Sequence, residues 1–232
     1  MNSIDFERSI GLIGEENFKL IQDKTICIIG LGGVGGTAFE TLLRSGFKNF
    51  IIIDKDVVSA SNLNRQVLFN PSDINLSKVE CAKKFALNIS KDLNIIAIDD
   101  DIKQYDLYNI LKDNKVDMVV DAIDDVTGKV FIAAMCGVTG TPLIMSLGMA
   151  NRLDPSKVEL KRLDKTTYDP LARKLRHPIK CNGIDTKEIM TVCSKEEPIK
   201  DGNKLHSMMM VPSSAGLLIG YYVLTTIINQ NK

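Results

Sequence analysis

The sequence predicts an α/β protein: a doubly wound, mostly parallel sheet with helices on both faces and a C-terminal elaboration. Three observations predict it. Short apolar, β-branched runs recur at 25–29 (TICII), 50–53 (FIII) and 116–120 (VDMVV), and 25–29 and 50–53 show no polar alternation, as in strands buried on both faces. Segments of helical spacing separate these runs. The first run opens directly into the turn Gly30-Leu31-Gly32-Gly33-Val34-Gly35-Gly36, which a further helical pattern follows. Strand, glycine turn, helix and strand make the opening βαβ unit of a Rossmann-like sheet.

The elements follow in order. Residues 8–22 have the spacing of one helix with mixed faces, and 25–29 is the first strand. The helix after the glycine turn runs to Arg44 and is closed by Ser45-Gly46. The second strand, 50–53, ends at Asp54. Ser77–Asn88 has an apolar stripe from Val79, Ala82, Phe85 and Ala86, and Ile95–Ile98 is a strand. Tyr105–Lys112 is a short helix, Val116–Val120 a strand ending at Asp121, Val126–Val138 a helix, and Leu143–Ser146 a strand after Pro142. Beyond residue 148 the pattern changes. Lys157, Lys161, Arg162, Lys165, Arg173, Lys174, Arg176 and Lys180 outnumber the acids of 151–180, residues 181–206 read as loop-rich, and Ala215–Ile228 reads as a closing helix.

Composition narrows the function classes. A length of 232 residues can bury a sizeable core without disulfides or structural metal. The formal net charge is +0, so no global field draws the chain to nucleic acid, although a local basic surface remains open. Five cysteines, an odd number without a CxxC pair, argue against a disulfide framework. Cys27 and Cys136 lie in apolar segments and read as buried small hydrophobes. The first residues lack the apolar core of a secretory signal, and 215–228 is shorter than the roughly 20 residues of a membrane helix. A cytoplasmic location with no membrane contact is the expectation.

The chemistry concentrates in four places. The glycine turn lets backbone approach a phosphate or ribose, and the next helix aims its unpaired N–H groups at the anion. Asp54 at the end of the second strand is placed to accept hydrogen bonds from ribose hydroxyls. Up to this point a dehydrogenase and an ATP enzyme look alike. Asn62-Leu63-Asn64-Arg65-Gln66 and Lys78 then offer cations that suit a triphosphate, whose charge grows on the β- and γ-phosphates. From spacing alone a surface loop and a helix-start lysine fit Arg65 and Lys78 equally well. In Val119-Val120-Asp121-Ala122-Ile123-Asp124-Asp125, carboxylates fall at a strand's C-terminal end, where Asp124 suits Mg2+ and Asp121 or Asp125 could cap a helix.

GLGGVGG, Asp54, NLNRQ, Lys78 and VVDAIDD together resemble the adenylating family of ubiquitin-activating enzymes and their bacterial relatives for thiamine and molybdopterin sulfur carriers. The resemblance covers essentially the whole chain. Asp164–Arg176 (DKTTYDPLARKLR), Ser194–Pro198 (SKEEP) and Val211–Gly216 (VPSSAG) resemble in particular the tRNA threonylcarbamoyladenosine dehydratases of that family. The resemblance implies one domain over 1–232, with a nucleotide-binding core at 1–148 and a substrate-facing extension at 149–232. It assigns Gly30, Gly32, Gly33 and Gly35 to the nucleotide cradle, Asp54 to the ribose, Asn64, Arg65 and Lys78 to the phosphates, and Asp124 to Mg2+. Arg8 would reach the neighbouring subunit's nucleotide in a homodimer.

The implied reaction is ATP-dependent activation of the threonylcarbamoyl carboxylate in tRNA, followed by ring closure with net loss of water. Lys157–Lys180 is then the candidate tRNA contact. The alternative is adenylation of the C-terminal glycine of a ubiquitin-like sulfur-carrier protein. A nucleotide-sensing module would not need Arg65, Lys78 and Asp124, and an oxidoreductase would need an acid–base pair that is not evident. The paired CxxC zinc motif of the sulfur-carrier enzymes is absent. Cys181 and Cys193 fall near the thioester cysteine of other relatives but read as incidental thiols, and neither His177 nor His206 has an evident partner.

Overall fold

A computed structural model describes residues 4–202 and 204–230. Its centre is a seven-stranded sheet made of β1 (Thr25–Ile29), β2 (Asn49–Ile53), β3 (Asn94–Ile98), β4 (Met118–Asp121), β5 (Leu143–Ser146), β6 (Val158–Arg162) and β7 (Met190–Ser194). The strand order is β3-β2-β1-β4-β5-β7-β6, with every pair parallel except β6 and β7. The chain builds outward from β1 through β2 to β3, then returns to the other side of β1 for β4. That reversal is the switch point at which ligands bind in open α/β sheets.

The helices are α1 (Glu7–Ile13), α2 (Glu15–Gln22), α3 (Gly33–Ser45), α4 (Lys78–Ile89), α5 (Leu107–Asp113), α6 (Val126–Thr139), α7 (Pro170–Cys181) and α8 (Met210–Asn229). Strand side chains alternate between two cores, as the pleat requires. Ile26, Ile28, Phe50 and Ile52 pack under α2, α3, α4 and α8. Cys27, Ile29, Ile51 and Ile53 pack under α5 and α6. A third cluster joins α6 and α7 through Ala133, Leu175 and Ile179, over Met145 and Cys193. Burial on both faces explains the unbroken apolar runs.

Four segments differ from expectation. Residues 8–22 form two helices, because Gly14 sits at φ 83 between them, outside the range a helix tolerates. The stretch expected to be loop-rich, 181–206, contains β7, which is inserted between β5 and β6 with Thr191, Val192, Cys193 and Ser194 buried. Within the basic segment, VELKR forms the edge strand β6, which carries the alternating charges that protect a sheet edge. The closing helix is longer than expected, Met210–Asn229, and by length and composition it could span a membrane. Here it is a core helix. Val211, Ala215, Ile219 and Val223 are buried, and Gly216 and Gly220 let it lie directly on α3, where added Cβ atoms would come within 2.6 Å of Thr37 and 2.5 Å of Thr41.

A lysine–aspartate pair lies wholly inside. Lys129 of α6 donates to Asp121 at the end of β4 over 2.9 Å, and both side chains are fully buried. Burial pushes the Asp121 carboxyl above its usual range, while Lys129 pulls it back down. Removing one partner leaves an uncompensated charge in the core, so Lys129→Met should lower stability by about 3–5 kcal/mol. Asp121→Asn combined with Lys129→Met should recover most of that loss. Urea unfolding of the two variants and the unaltered protein measures both effects.

Candidate active site

The C-terminal ends of β1 and β4 open into a cavity of about 1130 Å³. Its floor is the glycine turn. Gly30 stands at φ 92, where a side chain would be strained, and an added Cβ would meet the Ala122 backbone at 2.9 Å. The turn therefore seats itself against the β4 end only because no side chain intervenes. Gly32 precedes α3 as its N-cap with no side-chain capping bond, so the first N–H groups of that helix face the cavity without an internal partner.

Gly30, Gly32 and Gly33 line the cavity, whereas Gly35 does not. Gly35 lies within α3, and a Cβ there would collide with the Gly30 carbonyl oxygen. It lets the helix sit tightly on the turn.

Asp54, at the end of β2, lines the same cavity. Its Oδ2 accepts the Leu31 N–H at 2.6 Å and its Oδ1 accepts the Asp56 N–H at 2.9 Å. The carboxylate thus fastens the glycine turn as well as facing the cavity, and each oxygen keeps a lone pair for a hydroxyl. Burial pushes its pKa up, opposed by Lys78. Lys78 is buried at the start of α4, with Nζ 2.8 Å from Asp56 and 4.0 Å from Asp54. Asp56 was not apparent from sequence, because it lies in the loop after β2 and meets Lys78 only through tertiary folding.

Across the cavity, Arg65 donates to the Ser61 carbonyl and to Asn64 Oδ1, which holds the guanidinium at the wall. Asn64 itself is exposed, does not line the cavity, and donates to the Ser207 carbonyl at 2.9 Å. The asparagine that lines it is Asn62, whose side chain also accepts the Ser59 N–H.

The three aspartates at and just after the end of β4 divide their work. Asp121 is consumed by Lys129, and Asp125 caps α6 by accepting from Thr127 and Gly128 while Lys103 lies 3.0 Å away. Lys103 and these two N–H groups hold the Asp125 carboxyl below its usual range. Asp124 is exposed, lines the cavity, and has no hydrogen bond or ion pair among the described residues. It is the carboxylate left for a ligand. A single carboxylate beside phosphates suits Mg2+, which keeps several waters and takes few protein ligands.

The outer wall comes from the C-terminal elaboration. Arg152 is its buried centre. The guanidinium donates to the carbonyls of Gly148, Tyr168 and Glu196 and lies 3.6 Å from Asp169. Asp169 also accepts the Gly148 N–H and caps α7 through Ala172. One ion pair thereby ties the loop after β5 to α7 and to the segment after β7, and all three line the cavity.

The basic segment sorts itself. Lys157, Lys161 and Lys165 pair with Asp154, Glu159 and Asp164, while Arg162 and Arg176 donate to backbone carbonyls. Arg173, Lys174 and Lys180 stay exposed on α7 without an ion pair among the described residues, and Arg173 and Lys174 line the cavity mouth.

The remaining candidates fall elsewhere. Arg8 is exposed on α1, outside the cavity lining. Cys193 is buried in β7 and its thiol is pushed up to about 11 by burial, which leaves it protonated and out of reach. Cys181 is exposed at the end of α7 with Sγ 3.6 Å from His177, away from the cavity. His206 does have a partner, Asp201, at 2.7 Å.

Comparison with known proteins agrees with this geometry. The curated tRNA threonylcarbamoyladenosine dehydratase of Bacillus subtilis (strain 168) is 31% identical over 246 residues, covering 97% of this chain and 95% of the relative. The protein of the same name from Escherichia coli (strain K12) is 33% identical over 169 residues, 73% of this chain and 63% of the relative. The crystal structure of the E. coli tRNA N6-threonylcarbamoyladenosine dehydratase in complex with ATP superposes with a TM-score of 0.88 at 29% identity, covering 97% of this chain and 94% of the other. The ThiF family pattern matches residues 6–229. With that match over nearly its full length, its switch-point cavity and its glycine turn, the chain belongs to the ThiF family.

Proposed function

We propose that this protein is an ATP-dependent tRNA threonylcarbamoyladenosine dehydratase. The observation that carries the reading is one cavity with two halves. The inner half gathers the glycine turn, Asp54, Arg65, Lys78 and Asp124, and the outer half presents Arg173 and Lys174 of α7. The inner half matches a nucleoside triphosphate. The outer half matches an RNA backbone, since cations without acidic partners are what phosphates attract.

The residues take these roles. Gly30, Gly32 and Gly33 cradle the nucleotide against the start of α3, with Gly35 allowing the helix to approach. Asp54 holds the ribose hydroxyls. Arg65 and Lys78 neutralise the charge that grows as the leaving group departs, and Lys78 exchanges its contact with Asp56 for a phosphate. Asp124 orients Mg2+, which supplies charge neutralisation at the phosphates when bound. Asn64 acts through Arg65, whose guanidinium it braces. Arg8 and a homodimer complete the site from the neighbouring subunit.

The activated group is the threonylcarbamoyl carboxylate. Its oxygen attacks a phosphorus of ATP and a phosphoanhydride bond breaks, expelling pyrophosphate if the α-phosphorus is attacked or ADP if the γ-phosphorus is. A poor leaving group thereby becomes a good one. The neighbouring ureido group then attacks the acyl carbon, expels the phosphorylated oxygen and closes the ring. Positioning in the cavity supplies much of the acceleration, because the ring-closing groups are held within reach. The protein acts in the cytoplasm, and helper or sulfur-transfer proteins are its candidate partners.

Incubation with ATP, Mg2+ and tRNA carrying threonylcarbamoyladenosine, followed by nucleoside mass measurement, should show loss of one water. No mass loss, with pyrophosphate exchange driven by a ubiquitin-like carrier protein instead, would assign the chain to carrier activation. Asp124→Ala should cut turnover at least about a hundredfold while circular dichroism and melting stay as in the unaltered protein. Near-normal turnover would remove Asp124 from the metal. Lys78→Ala should also depress turnover, and sedimentation should give twice the mass of one chain.

A further inference from the structure

Tyr168 is the one bulky residue among the described residues that combines a left-handed backbone with a place in the cavity wall. Its φ is 54, a conformation uncommon for non-glycine residues and a genuine outlier for bulky ones. The residue is 61% exposed, so packing of the ring does little to offset the strain. What holds the backbone is the buried centre of the outer wall: Arg152 donates to the Tyr168 carbonyl over 3.0 Å, and the next residue, Asp169, is locked by Arg152 and by its cap on α7. The ring pairs with no other aromatic, and its hydroxyl has no hydrogen-bond partner among the described residues. A buried ion pair therefore maintains a strained, exposed aromatic residue in the lining of the cavity.

Charge around that ring selects the ligand. Arg173 and Lys174 stand in the first turns of α7, just beyond Tyr168, and Lys200 and Lys204 line the same cavity. Lys200 has Glu197 3.7 Å away, while the other three have no ion pair among the described residues. An exposed aromatic ring and several cations in the lining of one cavity suit unpaired RNA: bases stack on the ring and phosphates meet the cations. An acidic peptide would use the cations but leave the ring idle.

We infer that Tyr168 is a stacking platform for an unpaired base of the RNA substrate at the cavity mouth. This rests on the proposed tRNA dehydratase reading. The ring sets the affinity and placement of the RNA, whereas the nucleotide half of the cavity does not depend on it.

The test uses a tRNA anticodon stem-loop carrying threonylcarbamoyladenosine, with saturating ATP and Mg2+. Tyr168→Asn removes the ring and substitutes a residue that accepts the left-handed backbone, so folding is preserved. Its KM for the RNA should rise about tenfold, with ATP affinity and melting temperature unaltered. Tyr168→Phe, which keeps the ring, should restore the KM that Tyr168→Asn loses. Turnover of the RNA with an unchanged KM in Tyr168→Asn overturns the stacking role alone, as does a phenylalanine variant as impaired as the asparagine one. Failure of the unaltered protein to convert the RNA overturns the substrate reading, and the stacking role with it.

Discussion

The close approach of the β1 and β4 ends is the constraint on which the rest of the site depends. The strand order reverses there, which leaves a crevice that no crossover helix covers. The crevice is usable only because Gly30 has no Cβ to strike Ala122, and because Ala122 donates its N–H to Ile29 and so keeps the two ends in register. Asp54 then ties Leu31 to the third neighbouring strand end. Three strands thus converge on one turn, and the start of α3 is aimed across it.

Two buried ion pairs hold the opposite walls. Asp121–Lys129 anchors the segment that carries Asp124, and Arg152–Asp169 anchors the loop after β5, α7 and the segment after β7. Burying such charges costs several kcal/mol per ion, and the mutual attraction only roughly offsets it. Their contribution is positional. A carboxylate tied to a lysine at 2.9 Å has one place to be, so the Ala122–Asp125 segment is presented in one arrangement. Arg152, bonded to carbonyls from three segments, acts the same way on a wall made of otherwise irregular chain.

Much of this was legible in the chain. The first five strands and the helices between them announced themselves by apolar runs and helical spacing, because a parallel sheet covered on both faces demands them. Gly30, Gly32 and Gly33 of the glycine turn, Asp54, Arg65, Lys78 and Asp124 all line one cavity, and only Gly35 of the expected cradle lies outside it, inside α3. Illegible were β6 and β7, since VELKR is an edge strand of alternating charge and MTVCS is short, with Thr191 and Ser194 interrupting its apolar residues. Asn64 resembled a phosphate ligand, yet the turn at Ala60–Asn62 points Asn62 at the cavity and sends Asn64 to Ser207. The partners Asp56, Lys129 and Arg152 carried no local signal, because each matters through a residue distant in sequence.

The sequence by itself determined the fold class, the glycine turn and the kinds of charge at the site, because these follow from periodicities and residue chemistry that act within a few positions. Only the tertiary structure decided which of Asp121, Asp124 and Asp125 is left for a ligand, which cations of the basic segment face outward, and that Tyr168 stands strained in the cavity wall. The physical reason is competition for partners. A carboxylate or guanidinium becomes available to a ligand only when no cap, lysine or carbonyl elsewhere in the fold has already engaged it.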